Sequence, residues 1–406
     1  MLSSKQQEYL LKCDHRWNMK IGATGSGKSW LDYAVVIPRR LMALKGQGAA
    51  VILGNTQGTA NRNILEPMRE IYGDRMVGPI RADNSAQMFG AKVYILGADK
   101  KTNVDRLRGM TIEYAYGDEM TTWAQEVFEM LKSRLRCEHS YFDGTANPEN
   151  PGHYIKKFIE SGADIYCQHS TIFDNPFLPA DFIQNLCKEY EGTVYYKRYI
   201  LGEWALAEGI IYDMFDRQKH LVRLEDVEDQ LVGPCYVSCD YGIQNATVFK
   251  MWQKGEDGVW YNTKEYYYSG RDQAGQKTDA EYVEDLLAFL DGASPRAVIV
   301  DPSAASFIEA LRRAGLPVMK AKNEVLNGIR MQAGLLALGK IKYADTCENT
   351  VREYEGYAWD PRAAARGEDA PIKENDHCMD ADRYFINTIL AQSKAKISNK
   401  RKKGFY

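Results

Sequence analysis

A chain of 406 residues is too long for one ordinary hydrophobic core and suits two domains of roughly 150–200 residues each. An apolar share of 45% beside 26% charged residues excludes a disordered polypeptide, and apolar runs as short as Ala49–Leu53 and Ala297–Val300 exclude a bilayer-spanning helix of roughly 20 residues. A formal net charge of −3 excludes a uniformly basic nucleic-acid coat, so any DNA contact must use local patches.

In chain order, the first signal is Gln6 or Gln7, placed ahead of a strand where an amide can read adenine. The strand is Trp17–Ile21, and Gly22-Ala23-Thr24-Gly25-Ser26-Gly27-Lys28-Ser29 follows it directly, satisfying the phosphate-binding loop pattern before a helix. Glycines let the backbone N–H groups converge on phosphates at a helix N-terminus. Lys28 then reaches the β and γ phosphates of ATP, and the Ser29 hydroxyl helps hold Mg²⁺. Further short β-like runs, Ala49–Leu53, Lys92–Leu96, Ile112–Tyr116 and Tyr141–Phe142, alternate with amphipathic stretches, which predicts a mainly parallel sheet covered by helices. Eight cysteines lie singly, without paired CxxC spacing, so they are expected to be reduced and packed; the N-terminus carries no secretory pattern, which points to a cytosolic setting.

Within that sheet the strand Ile112–Tyr116 runs into Gly117-Asp118-Glu119. Asp118 is placed to bind Mg²⁺ and Glu119 to polarise the attacking water. Upstream, Arg106 and Arg108 flank Leu107. One of them is a candidate to stabilise charge on the transferred phosphoryl group, from the same subunit or a neighbour, with Arg108 favoured because Gly109 leaves room for close approach. After Tyr141–Phe142, Thr145 and Asn147 sit at the carboxyl edge of the sheet, where open α/β sheets bind ligands, and are candidates to sense the γ-phosphate.

From Ala205 to Gly233 the pattern loosens, and a linker is expected there. A new order then begins: a strand Tyr236–Asp240, a hairpin Ala246–Trp252 and Val259–Tyr268, a helix from Asp279, and a strand Ala297–Asp301. Asp240 and Asp301 therefore sit at strand exits. The run Glu374-Asn375-Asp376-His377-Cys378-Met379-Asp380-Ala381-Asp382 opens the last helix, and His377 and Asp380, three apart, share a helical face. Three carboxylates, Asp240, Asp301 and Asp380, supply hard oxygen ligands for two Mg²⁺ or Mn²⁺ ions, a pairing suited to phosphodiester cleavage. Among Asp376, Asp380 and Asp382 the spacing from His377 favours Asp380, with Asp382 turned farther round the helix. Lys394, Lys396, Lys400, Arg401, Lys402 and Lys403 form a basic tail.

Taken in order, the Gln-rich start, the phosphate loop, Asp118-Glu119, Thr145-Ala-Asn-Pro-Glu-Asn-Pro-Gly152-His153, Asp174-Asn-Pro-Phe-Leu-Pro179, Leu201-Gly-Glu-Trp204 and Glu208-Gly-Ile-Ile-Tyr212 resemble the large terminase subunit of tailed phages, especially the defective-prophage and Bacillus-phage type. The resemblance implies a P-loop ATPase domain over 1–205, a linker over 206–232, a ribonuclease H-like nuclease domain with a mixed sheet over 233–393, and the tail at 394–406. It further implies that Thr145-Ala-Asn147 couples hydrolysis to movement and that Asp240, Asp301 and Asp380 form an acidic triad, with His377 like the extra histidine of some members. The implied partners are double-stranded DNA, the portal protein of a procapsid, a small terminase subunit and further copies in a packaging ring, with a monomer in solution as the other state, in the host cytoplasm and away from membranes. Two alternatives stand beside it: another ATP-driven helicase or repair nuclease, and a packaging ATPase whose back domain binds DNA without cutting.

Overall fold

The computed structural model describes residues 2–242, 245–270 and 275–391; the basic tail lies outside them. The chain forms two compact units. The first takes the residues up to Cys187 with Val194–Leu206 and Ala365–Glu368; the second takes Lys188–Thr193, Ala207–Ala364 and the chain from Asp369 onward. Among the described residues no helix is long and apolar enough to cross a membrane.

The first unit is built on seven strands: β1 (Trp17–Gly22), β2 (Ala49–Gly54), β3 (Ser85–Met88), β4 (Ala91–Gly97), β5 (Ile112–Gly117), β6 (Tyr141–Ala146) and β7 (Ile165–Ser170). They lie in the order β3-β4-β2-β5-β6-β1-β7, all neighbours parallel except the β3/β4 hairpin. Every residue of β1 and β5 is buried, as expected for strands covered on both faces. One face packs Met19, Leu53, Phe128 and Phe142 into a core, and the other packs Ile52, Leu65, Ile95 and Tyr116. The two strands that the sequence reading lacks are the sheet's edges. β3 is four residues long and β7 ends in Gln168-His169-Ser170, so neither has the apolar run that identifies a central strand.

The second unit also has seven strands: β8 (Leu221–Val222), β9 (Leu231–Asp240), β10 (Thr247–Gly255), β11 (Trp260–Tyr268), β12 (Val298–Val300), β13 (Val318–Lys320) and β14 (Ile341–Ala344), in the order β13-β12-β9-β10-β11-β14-β8. β9, β10 and β11 form an antiparallel meander, and the outer strands add in parallel. This mixed sheet, hairpins first and crossovers later, is the ribonuclease H-like arrangement. The expected linker over 206–232 is corrected here. Leu221–Val222 pairs with β14, the helix Arg217–His220 precedes it, and β9 already starts at Leu231. A two-residue edge strand between short turns carries too little periodicity to be recognised in sequence. A short helix, Pro361–Ala365, precedes the last helix.

The second unit's core contains a fully buried ion pair. Lys250 of β10 meets Asp382 of the last helix, His377–Phe385, and Asp382 also accepts from Tyr343 (2.9 Å), Tyr354 (3.3 Å) and Gln332 (3.3 Å). Removing one partner of such a pair strands a charge in low dielectric. Lys250→Met is therefore expected to lower stability by about 3–5 kcal/mol, read as a fall in the urea midpoint; an unchanged midpoint would contradict the pair's structural role.

Candidate functional site

In the first unit the phosphate-loop motif is built at the end of β1. Gly25 (φ 75°) and Gly27 (φ 85°) take the left-handed conformation that lets the loop wrap, and helix begins at Lys28. At Gly22 a Cβ would lie 2.2 Å from the Ser170 carbonyl oxygen, so the loop's first residue has to be glycine. The Lys28 ammonium donates to the carbonyls of Gly22 (2.8 Å) and Ala23 (2.6 Å) and to Asn147 Oδ1 (3.1 Å). Burial pulls its pKa below the ordinary lysine range, against the charges of Asp118 and Glu119 that hold it up.

β6 lies between the lysine strand and the acid strand, with Ile21 opposite Ala146 and Gly117 opposite Gly144. That register sets Thr145 beside Asp118 and Asn147 beside Lys28. The Thr145 hydroxyl donates to Asp118 Oδ1 (3.3 Å), and Asn63 donates to Oδ2 (3.0 Å). Burial raises the Asp118 pKa, with the bonds from Asn63 and Thr145 and the Lys28 charge opposing. Glu119 is exposed and takes φ 50°, ψ 50°, a conformation uncommon outside glycine and found where a turn or a functional constraint demands it. Lys28, Asp118, Glu119, Thr145 and Asn147 are thus gathered at one sheet edge, with Ser29 in the first turn after the loop.

The remaining front-half candidates fall differently. Gln6 is buried and donates to the Gly27 carbonyl (3.2 Å), while its own carbonyl accepts from the Ser3 amide (2.9 Å), so it braces the loop and caps the first helix. Gln7 bonds the Leu2 carbonyl on the exposed face. Arg108 pairs with Asp105 (3.2 Å), both side chains well exposed.

Sequence reasoning also left roles unassigned. Asn175, in the quoted Asp-Asn-Pro tract, donates to the Gly25 carbonyl (2.6 Å), and Gly202 (φ 72°) packs where a Cβ would lie 2.9 Å from Gly22 Cα. Those two tracts are therefore braces for the phosphate loop. The Asn63 contact to Asp118 had no local signal.

In the second unit β12 runs parallel to β9 with Val300 opposite Cys239, so Asp240, the last residue of β9, and Asp301, the first after β12, come next to one another along the two strands. Asp240 Oδ2 lies 2.9 Å from His377 Nδ1, and Tyr384 donates to Oδ1 (3.4 Å). Burial raises the Asp240 pKa, which His377 opposes and Asp380 reinforces; burial lowers that of His377, but Asp240 outweighs it and leaves it above the usual value. Asp301 accepts from the Ser303 amide (2.7 Å) and from Asn323 (3.2 Å). Burial pushes its pKa up, but the bonds from Ser303, Asn323 and Tyr384 outweigh it and leave a depressed value.

Asp380 pairs with Arg383 (2.5 Å) and Lys373 (3.4 Å), and Lys373 also holds Asp376 (3.0 Å). Asp240, Lys373, Asp376, His377 and Asp380 line one cleft of about 570 Å³, while Asp301 joins them through Tyr384. Asp382 faces the core instead, committed to Lys250. Among the described residues no three His, Cys, Asp or Glu side chains are arranged to hold one ion as they stand. The donor chemistry fits a hard divalent cation all the same: the cleft's carboxylates already gather the cationic groups of Lys373 and Arg383. Glu353 is a further residue that the sequence did not reveal. Its carboxylate accepts from the amides of Cys378 (2.7 Å) and Met379 (3.2 Å), pinning the helix that presents His377 and Asp380.

A phosphate loop with a strand-end acid in one unit, and a ribonuclease H-like sheet with acids at its strand ends in the other, define a P-loop protein joined to a nuclease-type fold. Residues 19–219 match the family model for terminase large subunit, T4likevirus-type, N-terminal. The large terminase of a thermophilic bacteriophage is 37% identical, with a TM-score of 0.87 over 96% of this chain and 99% of that one. The same phage protein in complex with ADP gives 0.86 at 37% identity, over 96% and 100%. The PBSX phage terminase large subunit of Bacillus subtilis (strain 168) is 20% identical over 431 residues, 97% of this chain and 95% of that protein. The Escherichia phage T5 terminase large subunit is 24% identical over 254 residues, 59% of this chain and only 56% of the T5 protein. The chain belongs to the phage terminase large-subunit family, which removes the helicase and repair-nuclease alternative.

Proposed function

We propose that this protein hydrolyses ATP to drive double-stranded DNA through the portal into a procapsid, and that its second unit cuts concatemeric DNA. The observation that carries the reading is the pair of hydrogen bonds Lys28–Asn147 and Asp118–Thr145, which tie the two nucleotide-handling side chains to one neighbouring strand. The loop amides and Lys28 bind and orient the phosphates, and Glu119 takes up the proton of the attacking water. When bound, Mg²⁺ at Ser29 and Asp118 neutralises phosphate charge. Thr145 and Asn147 exchange partners as the γ-phosphate leaves, converting hydrolysis into displacement of β6. Arg108, exposed on its surface, serves a neighbouring subunit's nucleotide in a ring.

In the second unit Asp240, Asp301 and Asp380 would hold two Mg²⁺ or Mn²⁺ ions, which would supply activation of water and charge stabilisation at the leaving 3′ oxygen. His377, hydrogen-bonded to Asp240 through Nδ1, orients that carboxylate. The partners are the portal, a small terminase subunit and further copies of this chain in a ring on the procapsid, with a monomer in solution; the setting is the host cytoplasm, with only transient attachment to the procapsid. Purified procapsids, ATP and linear duplex should yield nuclease-protected DNA. ATP hydrolysis without protection would rule out the motor. A second reading, a back unit that binds DNA without cutting, is favoured by Arg383 and Lys373 on Asp380.

A further inference from the structure

Two side-chain cations meet Asp380, and they are not equivalent. Arg383 is buried, its guanidinium donates to the Asn323 carbonyl (2.7 Å), and its stem fills the space above Gly328, where a Cβ would lie 2.3 Å from Arg383 Cγ. It is a fixed part of the wall. Lys373 reaches the same acids from outside. Its side chain is 57% exposed, against 8% for Asp376 and 14% for Asp380, and its ammonium lies 3.0 Å from Asp376 Oδ2 and 3.4 Å from Asp380 Oδ2. A flexible stem mostly in water leaves with little loss of packing. The turn between Lys373 and Asp376 includes Asn375 at φ 51°, and it sets the lysine's backbone at the cleft.

We propose that Lys373 is a tethered cation that competes with divalent metal for Asp376 and Asp380, so that the nuclease centre loads only when this ammonium withdraws. The inference rests on the metal-nuclease reading above. An ammonium and a divalent ion a few ångströms apart repel, so each weakens the other's hold on the same carboxylates. With Lys373 in place the acids are spread over side-chain cations; with it gone, Asp376 and Asp380 turn to a common ion beside Asp240. The lysine thus sets the metal concentration at which cutting begins, without touching the reacting atoms.

The test is Mn²⁺ binding to the full chain, followed by electron paramagnetic resonance of the free ion, for wild type, Lys373→Met, Lys373→Arg and Asp240→Asn. Competition predicts that Lys373→Met binds Mn²⁺ about 10-fold more tightly, while Lys373→Arg, which keeps the charge, stays near wild type. Equal or weaker binding by a folded Lys373→Met protein, with wild type binding an ion that Asp240→Asn loses, overturns the competition alone. Wild type and Asp240→Asn binding the same number of ions overturns the metal-site reading and the inference with it.

Discussion

Lys28→Ala is expected to lower DNA-stimulated ATP hydrolysis by about 10³-fold while leaving metal-dependent cutting within about 2-fold, since charge lost at a transferring phosphoryl group has an effect of this size. The lysine is the cation that the loop presents, steadied by the carbonyls of Gly22 and Ala23 and by Asn147. Alanine removes that charge and also frees Asn147, so any response of β6 to the γ-phosphate is lost with the chemistry. Glu119→Ala should match it in rate but retain nucleotide binding, because the role proposed for Glu119 is on the attacking water and not on the phosphates. Phosphate release with duplex DNA, alongside plasmid linearisation in Mn²⁺, measures both. Loss of cutting together with hydrolysis, in a protein with an unchanged melting profile, would contradict two separate sites.

Asp240→Ala should remove plasmid cleavage in Mn²⁺ by about 10³-fold or more, equivalent to about 4 kcal/mol of barrier, while ATP hydrolysis persists. Asp240 leaves β9 next to Asp301, accepts from Tyr384 and pairs with His377, so its loss unties the strand acids from the helix. Equal cleavage by both proteins would sink the assigned centre. Absence of cleavage in both would favour the DNA-binding platform, the reading that the cations on Asp380 keep alive.

The elements legible in the sequence were those with strong local signals. The strands β1, β2, β4 and β5 emerge where apolar runs announce them. The phosphate loop is legible for a different reason: Gly22, Gly25 and Gly27, which let its backbone wrap, fall together in one short run just before Lys28. What was not legible depends on contacts between distant segments. β3, β7, β8, β13 and β14 are edge or short strands whose pairing partner, not their own pattern, makes them strands.

By itself, the sequence determined the nucleotide cradle, the acid that ends β5 and the class of fold in each half, because spacing and periodicity are local properties of a chain. Only the tertiary structure decided which side chains share a site. The register of β6 brought Thr145 and Asn147 to Asp118 and Lys28, and the face of the last helix sent Asp380 to the cleft and Asp382 to Lys250. Both acids meet cations, so what separates them is where they point: Asp380 lines the open cleft beside Lys373, while Asp382 is sealed in the core against Lys250.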